Sequence, residues 1–325
     1  MPARDTVGAM TDGPTIDGQV TPDDVERASR RIDGLVRRTP VIEYGDLILK
    51  LELLQHAGSF KPRGAANRVL AERDRAGDLP PTGVITASGG NHGAAVAYVS
   101  HALGIAAEVF VPSMSPQIKH DNVARFGATL RVVDGYYDEA QVAANARQRE
   151  SGALMVHPFD HADTVAGQGT MARELEDQIG GFDTIVVATG GGGFVAGQAA
   201  WLRDRARVVS VEPELSQSLR AALQAGQPVD VGVSGLGSDS MGAKRVGDAP
   251  WVTIRQFVDE AVVVSEDDLR AAQRELWQQF RLVAEPGGAA ALAAIRSGAY
   301  RPSPDERVVV VVCGSNCDPA DVSGP

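Results

Sequence analysis

The chain has 325 residues, 43% of them hydrophobic and 22% charged, the proportions of an ordinary globular protein with room for two modest domains or one large one. Its 31 basic and 42 acidic residues leave a net charge of −11 with no compensating basic run, which argues against nucleic acid or an anionic membrane as a partner. No stretch is long and apolar enough to span a bilayer, and residues 1–17 lack the apolar core of a signal peptide and read as a frayed extension. The only cysteines, Cys313 and Cys317, suggest a reducing, cytoplasmic compartment without disulfides.

In chain order, Thr21-Pro22-Asp23-Asp24 opens a first helix, with Val25, Ala28, Ile32 and Leu35 as its apolar stripe. Residues 46–52 alternate as a strand with Leu47, Leu49 and Leu51 on one face. A helix follows, with Ser59 as its cap, Pro62 in its first turn and Gly77 at its end. Strand and helix signals then alternate: strands at 83–86, 107–111, 129–133, 153–156, 184–189, 207–211 and 307–312. Helices fall between them, stopped near Gly104 and Gly127, with longer ones over 163–179, 194–205, 265–280 and 286–297. Ser115-Pro116 starts the helix that Gly127 ends, whereas the Gly- and Ser-rich stretch 226–250 resists assignment. The alternation predicts an α/β fold of open, largely parallel sheets flanked by helices.

Lys61 sits where a strand hands over to a helix. Alone it reads first as a solvated lysine in a basic turn beside Arg63, and only with support from the rest of the chain as an amine whose pKa is depressed by desolvation, fit for nucleophilic work. Three other strands end in small polar or Gly-rich loops: Ser88-Gly89-Gly90-Asn91-His92, Gly190-Gly191-Gly192-Gly193 and Cys313-Gly314-Ser315-Asn316. In parallel sheets ligands bind outside the carboxyl ends of strands, and a glycine run leading into a helix offers amides and a dipole to a phosphate. Residues 191–196 also satisfy the dinucleotide pattern G-x-G-x-x-A, with Glu212 21 residues on. A nicotinamide-dependent dehydrogenase would use those residues but would leave Lys61 and the other two loops without a shared task.

These residues resemble a known family. Ser59-Phe60-Lys61-Pro62-Arg63-Gly64-Ala65, the 88–93 loop, the tetraglycine and the 313–316 loop look like the pyridoxal-phosphate enzymes of the tryptophan-synthase-β type, fold type II. Within them the chain is most similar to serine/threonine dehydratases, from about Thr21 to Asp318. Arg38-Thr39-Pro40, Gly167-Gln168-Gly169-Thr170 and Glu285-Pro286 also stand in family positions. The resemblance implies pyridoxal 5'-phosphate bound to Lys61 as a Schiff base, with Lys61 the catalytic residue. Phe60 would lie beside the ring, Asn91 on the ring hydroxyl, Gly190, Gly191, Gly192, Gly193 and Phe194 around the phosphate, and Cys313 at the ring nitrogen. Ser88, Gly89, Gly90, Asn91 and His92 would grip the substrate carboxylate. It further implies a large domain of residues 21–82 and 158–325, a small mobile domain of 83–157, an N-terminal extension of 1–20, and a homodimer.

The implied reaction is dehydration and deamination of L-threonine or L-serine to a 2-oxo acid and ammonia. Other β-hydroxy amino acids such as hydroxyaspartate, and racemisation of serine, are the neighbouring alternatives. Serine racemases carry Ser at the position of Gly89, which disfavours racemisation. Ser218 stands where the metal-binding branch has a second carboxylate, so no metal is expected. The chain ends at Pro325 with no appended regulatory segment, so feedback control of the isoleucine-pathway kind is not expected. Pro62 in place of an aliphatic residue, and the short link between Pro40 and Leu47, are the other departures.

Overall fold

A run such as Val308–Val311, apolar without alternation, needs cover on both faces, and only the interior of a parallel sheet provides it. The computed structural model describes residues 18–323 except Pro116, so residues 1–17 of the expected extension, and the proline of the expected helix start, lie outside the described residues. The strands are β1 (Val41–Tyr44), β2 (Leu47–Lys50), β3 (Val84–Ala87), β4 (Ala107–Pro112), β5 (Thr129–Val133), β6 (Leu154–Met155), β7 (Thr184–Ala188), β8 (Arg207–Pro213), β9 (Glu260–Val264) and β10 (Val308–Val311). They form a six-stranded sheet in the order β1-β2-β10-β7-β8-β9 and a four-stranded sheet in the order β5-β4-β3-β6. Every pairing is parallel except β1 with β2. This is the α/β architecture that the alternation predicts.

Most predicted elements fall within a residue or two of their observed positions. The first helix, Pro22–Ile32, has the Thr21/Asp24 capping box and buries Val25, Ala28 and Ile32. The helix Glu266–Phe280 is capped by Ser265 and Asp268 in the same way. The helix after β2 differs from its prediction. It begins at Lys61 with Phe60 as N-cap and no side-chain cap, and the Ser59 hydroxyl is buried without a partner. Ser59 instead bridges to Gly314, tying the lysine turn to the loop after β10. The short edge strands β1 and β9 and the helices Ser218–Ala225, Ser238–Met241 and Asp248–Phe257 have no counterpart in the sequence reading.

Two features lock the floor of the site. Helix Ala162–Ile179 lies between helices Lys61–Ala76 and Gly193–Leu202, touching both at backbone distance. A Cβ on Gly167 would fall 2.8 Å from the Gly64 Cα, and one on Gly197 would fall 2.5 Å from the Gly169 nitrogen. Glycine is required at these crossings because any side chain would push the helices apart. Beneath the lysine turn, Arg63 makes a bidentate pair with Glu52 (Nε–Oε2 and Nη2–Oε1, both 2.8 Å) and a further bond of 2.9 Å to Glu174. Lys50 pairs with the same Glu174 and donates to Gln178. Burial would raise the Glu52 carboxyl, but the charge and hydrogen bonds of Arg63, with the Lys50 charge and the Thr39 hydroxyl, together outweigh it and hold it below the usual range. Removing one partner of so buried a cluster leaves an uncompensated charge. Arg63→Met is therefore expected to cost about 3–5 kcal/mol in a denaturant titration; a loss below about 1 kcal/mol would mean that the cluster relaxes freely.

Candidate active site

Because β2, β10 and β7 run parallel to one another in one sheet and β3 runs parallel to its neighbours in the other, the turns that follow them emerge at carboxyl ends of strands. The turns after β2, β3, β7 and β10 meet around one cleft. Its wall includes Phe60, Lys61, Asn91, Gly190, Gly191, Gly192, Gly193, Phe194 and Cys313, so nine residues singled out in the sequence are brought together. Of the 88–92 loop only Asn91 is in that wall. The Ser88 hydroxyl accepts from the Gly90 amide at 3.2 Å and shapes the turn. His92 is buried, its Nε2 bonded to the Val156 carbonyl at 2.8 Å.

Among the described residues the Lys61 amine has one hydrogen-bond partner, the neutral Pro158 carbonyl at 3.0 Å, and it lies 5.0 Å from the centre of the Phe60 ring. None of their carboxylates pairs with it. Burial therefore dominates and pulls its pKa down to about 8, with Cys313 and Glu285 opposing weakly. Lys50 and Lys119, by contrast, each hold a carboxylate partner. Phe60 stacks on Phe194 with centroids 3.8 Å apart, joining the lysine turn to the glycine turn.

The glycine turn is built for an anion. The amides of Gly191, Gly192, Gly193 and Phe194 have no hydrogen-bond acceptor among the described residues, and they open helix Gly193–Leu202. Gly192 has φ +87°, and a Cβ on Gly191 would fall 2.4 Å from the Phe159 ring. At the far side, the Cys313 thiol donates to the Gly287 carbonyl at 3.2 Å, and burial pushes its pKa far up, keeping it neutral.

Glu212 does not face the cleft. Its oxygens accept from the amides of Leu219 (2.7 Å) and Arg220 (2.8 Å), capping helix Ser218–Ala225, while the Ser218 hydroxyl bonds the Gly190 carbonyl. Burial raises the Glu212 carboxyl to about 7 against those bonds. This arrangement spends the acidic residue that a dinucleotide ribose would need.

Several residues in or beside the cleft were not chosen from the sequence as site residues, and four of them bear on its chemistry. Phe159 covers the glycine turn, and Ser240 lines the cleft, its hydroxyl accepting from the Gly287 amide at 2.8 Å. Glu285, noted only as a family position, lines the cleft and accepts from Asn91. Lys119 stands over Gly90, whose Cβ would lie 3.7 Å from the amine, and pairs with Asp239. None has a local signal, because each reaches the site through contacts far apart in sequence.

A sequence profile of pyridoxal-phosphate-dependent enzymes matches residues 32–314. The chain belongs to the pyridoxal-phosphate-dependent enzymes. It is 36% identical over 305 residues to the biosynthetic L-threonine dehydratase of Escherichia coli, covering 92% of this chain and 56% of that one. The chain thus spans little more than half the length of that relative. It is 32% identical over 309 residues to the serine racemase of Oryza sativa subsp. indica, covering 90% of each. Among solved structures, a threonine deaminase from T.th. superposes with a TM-score of 0.83 at 32% identity, covering 92% of this chain and 99% of that one. The cofactor of this family, pyridoxal 5'-phosphate, carries one phosphate and one aldehyde. Acceptor-free amides and an amine without a carboxylate partner in the same cleft wall fit both groups.

Burial also sets an acid limit on the site. His92 is depressed to about 3, first by burial and then by the Lys61 charge, against an unfolded value near 6.5. A depressed folded pKa supplies stability above pH 6.5 that is lost as the pH falls toward 3, because the unfolded chain takes up the proton first. Between pH 6.5 and 4.5 the wild type is expected to lose about 2–3 kcal/mol more than His92→Gln in urea titrations. Parallel pH profiles for the two proteins would count against a neutral buried imidazole.

Proposed function

We propose that the protein is a pyridoxal-phosphate-dependent ammonia-lyase that converts L-threonine or L-serine to a 2-oxo acid and ammonia. The observation that carries this reading is the Lys61 amine, free of any described carboxylate and lowered to about 8, in one cleft with the acceptor-free glycine amides. Lys61 would hold the cofactor, Gly190–Gly193 and Phe194 its phosphate, Phe60 one ring face, Asn91 the ring hydroxyl and Cys313 the ring nitrogen. When bound, the cofactor supplies an electron sink for the bond broken at Cα.

This chain's residues do the rest. Displaced by the substrate's amine, Lys61 stays beside Cα and takes its proton as general base. Cys313, neutral and with its proton directed at Gly287, adds no charge at the ring nitrogen. Placed there, Cys313 would leave a bound ring a weak electron sink, which would favour loss of the β-hydroxyl. Ser88, Gly89, Gly90 and His92 would complete the carboxylate grip as residues 83–157 close. Closure is supported by two ion pairs that reach from that segment to the 226–250 stretch: Lys119 with Asp239, and Asp138 with Lys244 at 2.5 Å.

Racemisation is favoured by one observation. A Cβ on Gly89 would fall 2.1 Å from the Ser115 hydroxyl, so a hydroxyl stands beside the position where serine racemases carry their own. Ser115 is not part of the cleft wall, and the lyase reading is preferred. Chiral analysis of residual serine after partial turnover tests it. Oxo acid and ammonia should form with little D-serine, and D-serine accumulating faster than pyruvate would overturn the reading.

A further inference from the structure

A backbone carbonyl can only accept hydrogen bonds, and that fact fixes the direction of a chain of side chains behind the cleft. Asn316 Nδ2 donates to the Ala57 carbonyl at 2.8 Å, which settles which end of its amide is nitrogen. The same nitrogen donates to Asn91 Oδ1 at 2.6 Å, so Asn91 must present oxygen on that side. Its nitrogen then faces Glu285, and Nδ2 donates to Oε1 at 2.5 Å. Each link dictates the next: Ala57 orients Asn316, Asn316 orients Asn91, and Glu285 receives the last bond. One N–H of Asn91 is left with no acceptor among the described residues, on a side chain that lines the cleft.

Backbone without side chains makes room for the relay. A Cβ on Gly314 would fall 1.8 Å from Glu285 Oε1, and one on Gly58 would fall 2.5 Å from Asn316 Oδ1. The 313–316 loop is also sewn to the lysine turn, with the Phe60 amide on the Cys313 carbonyl at 3.1 Å and the Ser315 amide on the Gly58 carbonyl at 2.9 Å. The relay therefore shares its frame with Lys61. Glu285 is buried with its carboxyl raised to about 7, first by burial, and it accepts through Oε1 in either protonation state.

We propose that Asn316 and Glu285 are positioning residues that fix the amide of Asn91 so that its free N–H, not its oxygen, faces the cleft and meets an oxygen on the cofactor ring. This rests on the pyridoxal-phosphate reading of the site. In this role both residues act through Asn91, whose reversal would set oxygen against oxygen.

The test is equilibrium dialysis of the full-length holoenzyme against decreasing pyridoxal phosphate, with the visible absorption spectrum recorded throughout. Asn316→Asp can no longer donate and draws the nitrogen of Asn91 toward itself. It is expected to weaken cofactor retention by about 10- to 100-fold, the worth of one bond to a charged oxygen, and to shift the absorption maximum. Glu285→Met leaves the Ala57 and Asn316 contacts untouched but removes one of the two bonds that hold the Asn91 amide. It should weaken retention in the same direction by a smaller factor, about 3- to 10-fold, and keeps the test alive if Asn316→Asp fails to fold. Glu285→Gln still accepts through its amide oxygen and should keep the wild-type spectrum with retention within about threefold. Wild-type retention and spectrum in both Asn316→Asp and Glu285→Met would overturn the relay and leave Asn316 a mere tie to Ala57. If the wild-type protein itself takes up no cofactor, the underlying reading falls, and the relay with it.

Discussion

Lys61→Ala is expected to abolish the visible absorbance that pyridoxal phosphate acquires on this protein and to lower turnover by at least about 10³-fold, since the proposed mechanism gives one amine the work of both anchor and base. The reason is electrostatic. Lys50 and Lys119 are also buried, but each pairs with a carboxylate, Glu174 and Asp239, whereas the only hydrogen-bond partner of the Lys61 amine among the described residues is the Pro158 carbonyl. An ammonium is no nucleophile, and burial lowers the Lys61 amine to about 8, so that a neutral fraction is at hand. Borohydride reduction of the wild type followed by peptide mapping checks the assignment. A pyridoxyl adduct on Lys50 or Lys119 would show it to be wrong.

The second large effect is expected from Gly191→Val. The new Cβ would meet the Phe159 ring at 2.4 Å, so the turn or the ring must move, and the amides of residues 191–194 lose their common focus. Losing two charge-assisted bonds at about 1.5 kcal/mol each corresponds to about 100-fold weaker cofactor binding. Fluorescence titration of the resolved protein with pyridoxal phosphate measures this. Unchanged affinity would mean that the phosphate is held elsewhere. The thermal stability of the cofactor-free protein, measured alongside, separates a damaged cradle from a damaged fold.

Much of this site was legible before any coordinates, for a reason particular to parallel sheets. Val308–Val311 and Thr184–Ala188 announce themselves because strands buried on both faces must be continuously apolar. Strands so arranged deliver their following loops to a common edge, so Cys313, Gly190 and Asn91 could be grouped from order alone. Edge strands carry no such signature. Val41–Tyr44 is half-buried, four residues long and has Glu43 exposed, which makes it indistinguishable from a polar link. Ser59 misled because its sequence suits a helix cap, whereas the bridge to Gly314 claims its backbone. Phe159, Ser240 and the Asn316–Asn91–Glu285 chain depend on contacts between residues distant in the chain, about which local pattern is silent. The direction of the Asn91 amide, in particular, follows from a carbonyl at Ala57, 259 residues before Asn316, that no motif includes.

The seam of glycines along helix Ala162–Ile179 bears on how such a protein could tolerate change. The helix that starts at Lys61 and the helix that starts at the glycine turn are each pressed against the same rod, backbone to backbone, at Gly64–Gly167 and Gly169–Gly197. Two anchors seated on one rod keep a constant separation, like marks on a gauge whose length is fixed. Side chains can adjust by changing rotamer, but bare backbone in contact has no such slack. Loops elsewhere around the cleft can therefore drift in sequence without disturbing the span between the amine and the glycine turn. A single methyl group added at the seam, more than a whole new side chain at the cleft mouth, would put the two ends of the cofactor out of register.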